Sequence, residues 1–194
     1  MIKKKEFIEK SLKESSEIKL KVLESCNEDI IKVSEIFIDC IRGGHKLLFC
    51  GNGGSAADCQ HIATEFMVRL SHDIKRPAIG AIALTTDSSN LTAGGNDIGF
   101  VNIFARNVEG IGNKGDILIG ISTSGNSENI IRAVRKAGEK GIITVGLLGK
   151  TGGKLKAECD YSICIPTENV QRIQESHITI GHILCEITER EIYG

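Results

Sequence analysis

A chain of 194 residues, 41% apolar and 25% charged, is long enough for one compact domain with a real core and too short for two generous ones. A net charge of −1 argues against a broad electrostatic grip on nucleic acid or an acidic membrane, and two Tyr, six Phe and no Trp argue against an aromatic platform for base stacking. There is no apolar run of bilayer-spanning length, and the basic start MIKKKEF leads into no apolar signal core, so a cytoplasmic protein is expected.

In chain order, residues 1–44 read as two helices forming an N-terminal hairpin. Phe7, Ile8 and Leu12 recur at helical spacing, then Val22 and Leu23, then Ile30, Ile31, Val33, Ile36, Phe37, Cys40 and Ile41. Gly43–Gly44 is the stop. From there to 194, short apolar runs alternate with helical stretches. The strand candidates are KLLFC (46–50), AIGAIALT (78–85), DILIGIS (116–122), ITVGLLG (143–149) and YSICIP (161–166). They are continuously apolar, as strands covered on both faces are. Helices are expected at 55–70, in two pieces over 87–111, at 127–140, near 152–158 and from about 170 to 192. This alternation predicts an α/β fold, a three-layer αβα sandwich on a five-stranded parallel sheet. The expected organisation is one domain over 1–194, with 1–44 used in oligomerisation and 45–194 as the core. Cysteines 26, 40, 50, 59, 159, 164 and 185 lie mostly in apolar segments without C-x-x-C spacing and read as reduced core residues.

In such sheets ligands bind beyond the carboxyl ends of the strands. Two strand ends carry small residues and hydroxyls before a helix: Gly51-Asn52-Gly53-Gly54-Ser55, and Ser122-Thr123-Ser124-Gly125-Asn126-Ser127. A helix N-terminus with free N–H groups favours an anion, and small side chains let a phosphate approach the backbone. Each loop alone also reads as a turn plus N-cap. Two in one sheet favour a phosphate-type ligand, with Ser122, Thr123, Ser124 and Ser127 as its best donors. Neither loop has the G-x-x-x-x-G-K-[ST] or G-x-G-x-x-G pattern of nucleotide sites. A third turn, Lys150-Thr151-Gly152-Gly153, is a weaker signal.

The helix after the first loop carries His61 and Glu65 at i, i+4, and the last helix carries Gln174 and His182 two turns apart, with His177 near the same face. Two His, a carboxylate and an amide oxygen suit a divalent ion such as zinc, or general acid–base work. Taken singly, the first pair reads as a surface pair, and a His in ITIGHILCEI reads as a core residue. Gly95-Asn96-Asp97 reads as a tight turn between helices, with Asp97 as a sugar ligand or the cap of a helix starting near Ile98.

The stretches CGNGGSAADCQH, ALTTDSSNLTAGGNDIGF, GISTSGNSENI and RIQESHITIGH resemble the phosphoheptose isomerases of the sugar-isomerase (SIS) domain superfamily, over essentially the whole chain. The resemblance implies a five-stranded parallel SIS sheet and a homotetramer with active sites at subunit interfaces. It implies conversion of D-sedoheptulose 7-phosphate to D-glycero-D-manno-heptose 7-phosphate by enediol proton transfer. That is the first step toward ADP- or GDP-heptose for surface glycans such as lipopolysaccharide. It places one Zn2+ per subunit on His61, Glu65, Gln174 and His182; for the proton transfer, Glu65 is the candidate base and His182 the candidate acid on the opposite side. Substrate positions fall on Asn52, Gly53, Gly54, Glu65, Asn96, Asp97, Ser122, Thr123, Ser124, Ser127 and Gln174, with Ser55 and Arg69 matching nearby. Gln171 departs from members with an acidic residue there. A relative that binds the bacterial replication initiator lacks the counterparts of Glu65 and His182, so the pair favours the enzyme over a non-catalytic SIS binding or regulatory protein. Expected partners are the phosphorylated sugar and further copies of the chain, with neither nucleic acid nor membrane.

Overall fold

The computed structural model describes residues 2–194. The expected N-terminal hairpin is instead one continuous helix, α1 (Lys4–Arg42). Nothing between these residues breaks it: there is no Gly or Pro, and residues 9–21 are rich in Lys, Glu and Leu, which favour helix. Its buried stripe runs through Ile18, Val22, Cys26, Ile30, Val33 and Phe37, at steps of three and four. Phe7, Ile8 and Leu12 remain exposed. The N-terminal half is held to the last helix by Ser15 Oγ, which donates to Glu175 Oε2 at 2.7 Å.

The core follows as β1 (Leu47–Gly51), α2 (Gly54–Met67), β2 (Ala81–Ala83), α3 (Ser88–Asp97), α4 (Ile103–Ile111), β3 (Ile117–Ser122), α5 (Glu128–Glu139), β4 (Ile143–Gly149), α6 (Leu155–Glu158), β5 (Tyr161–Ile165) and α7 (Val170–Tyr193). All neighbouring strands are parallel, in the order β2-β1-β3-β4-β5. β2 is shorter than its apolar run because it is an edge strand with β1 as its one neighbour, entered through Pro77 and Gly80.

Alternate side chains of the buried strands feed two apolar layers. Phe49, Ile119, Leu147 and Ile163 pack with α1, α2 and α7; Leu48, Leu118 and Leu148 pack with α4, α5 and α6. This is the expected three-layer αβα sandwich. No described helix is long and apolar enough to cross a membrane. All seven cysteines are free, five of them buried. Burial pushes the Cys40, Cys159 and Cys185 thiols up to about 12, which leaves them unreactive.

β1 has β2 on one side and β3 on the other, so the chain leaves its carboxyl end in one direction and returns on the opposite flank at β3. That switch point opens a crevice between the ends of β1 and β3, the place where such sheets bind ligands.

Candidate active site

Both Gly/Ser-rich loops lie at this crevice. Gly51 pairs with Ile121 at the last register of β1 and β3, so residues 52–55 and 122–127 leave adjacent strand ends. Gly53 turns the first loop at φ 57°, ψ −120°, a region open to glycine, and α2 starts with no side-chain cap. Ser127 occupies the N-cap of α5, yet its side chain caps nothing; its Oγ lies 3.3 Å from Ser122 Oγ. The N-cap reading therefore does not describe Ser127, whereas the turn reading does describe Ser122 and Ser124, whose Oγ atoms accept from Gly125 N at 3.1 Å and Asn126 N at 3.2 Å. Two helix N-termini start beside adjacent strand ends, an arrangement that favours an anion.

The third turn proves to be a buttress for the second loop. Gly125, at φ +64°, has no room for a Cβ against the Gly152 carbonyl. Leu155 N donates to the Gly125 carbonyl at 2.9 Å, and Lys154 N to Asn126 Oδ1 at 3.1 Å.

The helices α2 and α7 carry the other half of the site. His61 Nε2 stands 3.1 Å from Glu65 Oε1 and 3.2 Å from His182 Nε2, with the two rings edge to face. One ligand atom from each of the three lies within 4.8 Å of the others. A tetrahedral zinc holds neighbouring ligand atoms about 3.4 Å apart, so two nitrogens and a carboxylate oxygen at these separations fit such an ion. A single ring N–H cannot serve both contacts of His61 Nε2, and a shared cation satisfies all three atoms. The approach depends on two residues beside the histidines. A Cβ on Gly181 would lie 2.5 Å from Ile62 Cδ1, so only glycine allows the helices this close.

The Gln174 side chain lies against Gly54 at the first turn of α2, leaving no room there for a Cβ. It therefore borders the first loop, on the same seam between α2 and α7 as the triad. His177, the competitor on α7, is fully buried, and its Nε2 bonds the Leu148 carbonyl at 3.0 Å. Burial pulls its pKa down to about 4, so it is a neutral core residue. Asn96 and Asp97 do not form a turn between helices, as their residue types suggested. They end α3, because residues 88–97 hold a helical ladder from the Asp87 cap, whose side chain accepts from Asn90 N. Asp97 caps no following helix; its carboxylate accepts from Asn96 Nδ2 at 2.7 Å. Both are exposed, and among the described residues no hydrogen bond ties them to the two loops.

One site residue escaped the sequence. Asn129, 3% exposed on the first turn of α5, exchanges two amide hydrogen bonds with Asn52 and so ties the two loops together. Its signal was only a polar residue ahead of the apolar Ile130–Ile131.

Residues 12–149 match the family model of the SIS domain. The chain is 53% identical over 192 residues to the phosphoheptose isomerase of Clostridium acetobutylicum, covering 98% of this chain and 97% of that one. Among solved structures it superposes on phosphoheptose isomerase GmhA from Neisseria gonorrhoeae with a TM-score of 0.90 at 39% identity, covering 96% of this chain and 98% of that one. A phosphoheptose isomerase from Francisella tularensis superposes with a TM-score of 0.93 at 34% identity, covering 97% and 100%. Whole-length similarity of this order, on the same fold and with His61, Glu65 and His182 converging, makes the chain a SIS-domain protein of the phosphoheptose isomerase family.

Proposed function

We propose that this protein isomerises D-sedoheptulose 7-phosphate to D-glycero-D-manno-heptose 7-phosphate, the step that opens ADP- or GDP-heptose synthesis for surface glycans such as lipopolysaccharide. The observation that carries this reading is the meeting of His61, Glu65 and His182 beside a crevice built to take an anion. A purely binding role would leave that triad without a task.

Ser122, Thr123, Ser124 and Ser127 take the phosphate, while Asn52, Gly53, Gly54, Ser55, Asn96, Asp97 and Gln174 bind the sugar chain. Anchoring the far end of the substrate holds C1 and C2 at the triad. Glu65 removes a proton from C1; that bond's electrons form the C1–C2 double bond as the C2 carbonyl oxygen takes a proton from His182. In the second half the C1 hydroxyl gives its proton to the now neutral His182, C1 becomes the carbonyl, and Glu65 returns its proton to C2. His61, Glu65, Gln174 and His182 would hold a Zn2+ that supplies a Lewis acid for the developing oxyanion, and Glu65 and His182 would leave the ion to transfer protons.

We further infer that residues 1–194 act as one SIS domain in a cytoplasmic homotetramer. The support is an apolar groove between α1 and α7, lined by Leu23, Ile30, Ile31, Ile180 and Ile183, with Leu23 62% exposed. Other copies of the chain would cover it and the exposed start of α1.

The deciding experiment is an NMR isomerisation assay in deuterated water with five-, six- and seven-carbon ketose phosphates. Turnover of the seven-carbon substrate with deuterium at C2 of the product is expected. Turnover only of a shorter ketose, or no solvent deuterium in the product, would sink the reading.

A further inference from the structure

We propose that Arg76 and Glu189 form a buried clamp that sets the position of Glu65, so that both are positioning residues for the reaction. The inference rests on Glu65 acting as assigned above.

Arg76 stands in the connection after α2, and Glu189 two turns beyond His182 on α7. Their side chains are 1% and 0% exposed. Arg76 Nε donates to Glu189 Oε1 at 2.7 Å, and Nη2 lies 2.6 Å from the same oxygen. Glu189 also accepts from Leu70 N at 3.1 Å and Ser71 N at 3.0 Å. The guanidinium then reaches two carbonyls: Nη1 donates to Pro77 O at 3.0 Å, and Nη2 to Glu65 O at 2.8 Å.

That last bond carries the argument. α2 ends at Met67, so the Glu65 carbonyl belongs to the last turn, whose carbonyls have no intrahelical donor. Arg76 supplies the donor, and its charge suits the negative end of the helix dipole. The chain is thereby gripped on both sides of Arg69, at the Glu65 carbonyl before it and the Leu70 and Ser71 amides after it. Because Glu189 shares α7 with His182, the clamp ties the base's helix to the acid's helix. Packing of Gly181 on Ile62 sets how closely the helices approach; the clamp sets where the last turn of α2 sits along and around its axis.

Stability alone does not account for the pair. Two buried charges lose about as much in desolvation as they recover by attraction, and apolar residues of similar volume commonly hold a fold as well. What apolar residues lack is a directional hold on the Glu65 carbonyl. Burial by itself would raise the Glu189 carboxyl, but the Leu70 and Ser71 amides and Arg76 keep it below its usual value, so the charge persists in the core.

The test compares wild type with Arg76→Lys, Glu189→Gln and the double variant Arg76→Met/Glu189→Met, which removes the charges while filling the space. Asp116→Asn is the comparator. It breaks a partly buried pair, to Lys46 at 2.5 Å, at the opposite, amino end of β1 and β3. Assayed well below their melting temperatures, the clamp variants are expected to lose kcat about 10- to 100-fold with KM within about threefold, the loss a displacement of order 1 Å produces. Asp116→Asn is expected to melt earlier and keep its kcat. Zinc titration of metal-free protein gives a readout independent of substrate, with binding weakened about tenfold or more in the clamp variants. Wild-type kcat and zinc affinity in any folded clamp variant overturn the proposal. Wild type that turns over no sedoheptulose 7-phosphate overturns the functional reading instead, and the zinc titration then judges the clamp by itself.

Discussion

Asn52 and Asn129 exchange two amide hydrogen bonds, 3.0 Å in one direction and 2.9 Å in the other, and this pair joins the loop after β1 to the helix after β3. Either residue alone leaves a polar partner unsatisfied in a nearly buried place. Asn129→Ala is expected to destabilise the fold by about 2 kcal/mol, the loss of two hydrogen bonds with one amide orphaned. Because it also frees the first loop from the second, KM for the phosphosugar should rise several-fold. Denaturant unfolding and steady-state kinetics on the same preparation check both, and an unchanged KM would show that the loops hold their places without the pair.

Ser127 distinguishes the proposed phosphate site from an ordinary cap. Its hydroxyl faces Ser122 and caps nothing in α5. Ser127→Ala should therefore leave stability within about 0.5 kcal/mol, whereas loss of a true N-cap costs about 1 kcal/mol. KM should rise about tenfold if the hydroxyl donates to the phosphate, one charge-assisted hydrogen bond being worth about that much. A variant with lowered melting temperature and unchanged KM would return Ser127 to a structural role.

Gly181 and Ile62 set the distance between the two histidines. Gly181→Ala would ordinarily favour a helix, but here the new methyl meets Ile62 at 2.5 Å. Overpacking of this kind costs about 1–3 kcal/mol. Turnover should fall with it, because His182 moves away from His61. Gly181→Ala combined with Ile62→Ala restores the space, so the double variant should be more stable than the sum of the single losses predicts. Simple additivity in chemical denaturation would count against direct contact as the cause.

Glu65→Gln and His182→Gln are each expected to lower kcat by about 100-fold or more with the fold intact, as removal of a general base or acid does. Metal analysis of gently purified protein should find about one ion per subunit, the stoichiometry of one such ligand set. Full turnover by either variant would remove its catalytic assignment, and full activity after exhaustive chelation would remove the metal from the reaction.

His177 predicts how stability depends on pH. Burial lowers its pKa from 6.5 to about 4, so between those values the unfolded chain binds a proton that the folded chain does not. Its contribution is complete above pH 6.5 and is lost as the pH falls toward 4, the loss reaching about 2 kcal/mol at pH 5. Glu189 and Asp116, whose pKa values are lowered from 4.5 and 3.8, act in the same direction at lower pH. The urea midpoint of wild type should therefore drop between pH 7 and pH 5, and that of His177→Leu should drop much less. Equal drops in both would assign the effect to other groups.

The sequence by itself determined the layered α/β architecture, because five continuously apolar runs separated by helical stretches have few other ways to bury themselves. It also determined the character of the two loops, whose small and hydroxylated residues mark helix starts suited to an anion. Tertiary structure decided the rest. Spacing put His61 with Glu65 on one helix and Gln174 with His182 on another, and the resemblance to phosphoheptose isomerases implied that they share a site. The meeting of His61 and Glu65 with His182 is permitted by the close contact of Gly181 with Ile62, residues 119 positions apart in the chain (181 minus 62). Asn129 and Glu189 gained their roles from Asn52 and Arg76, partners that no local pattern connects to them. The N-terminal segment shows the converse. Its apolar spacing suggested two helices, yet without a residue to break the ladder the backbone continued as one. Periodicity reports which face of an element is buried, whereas a site made where elements cross depends on packing between distant residues.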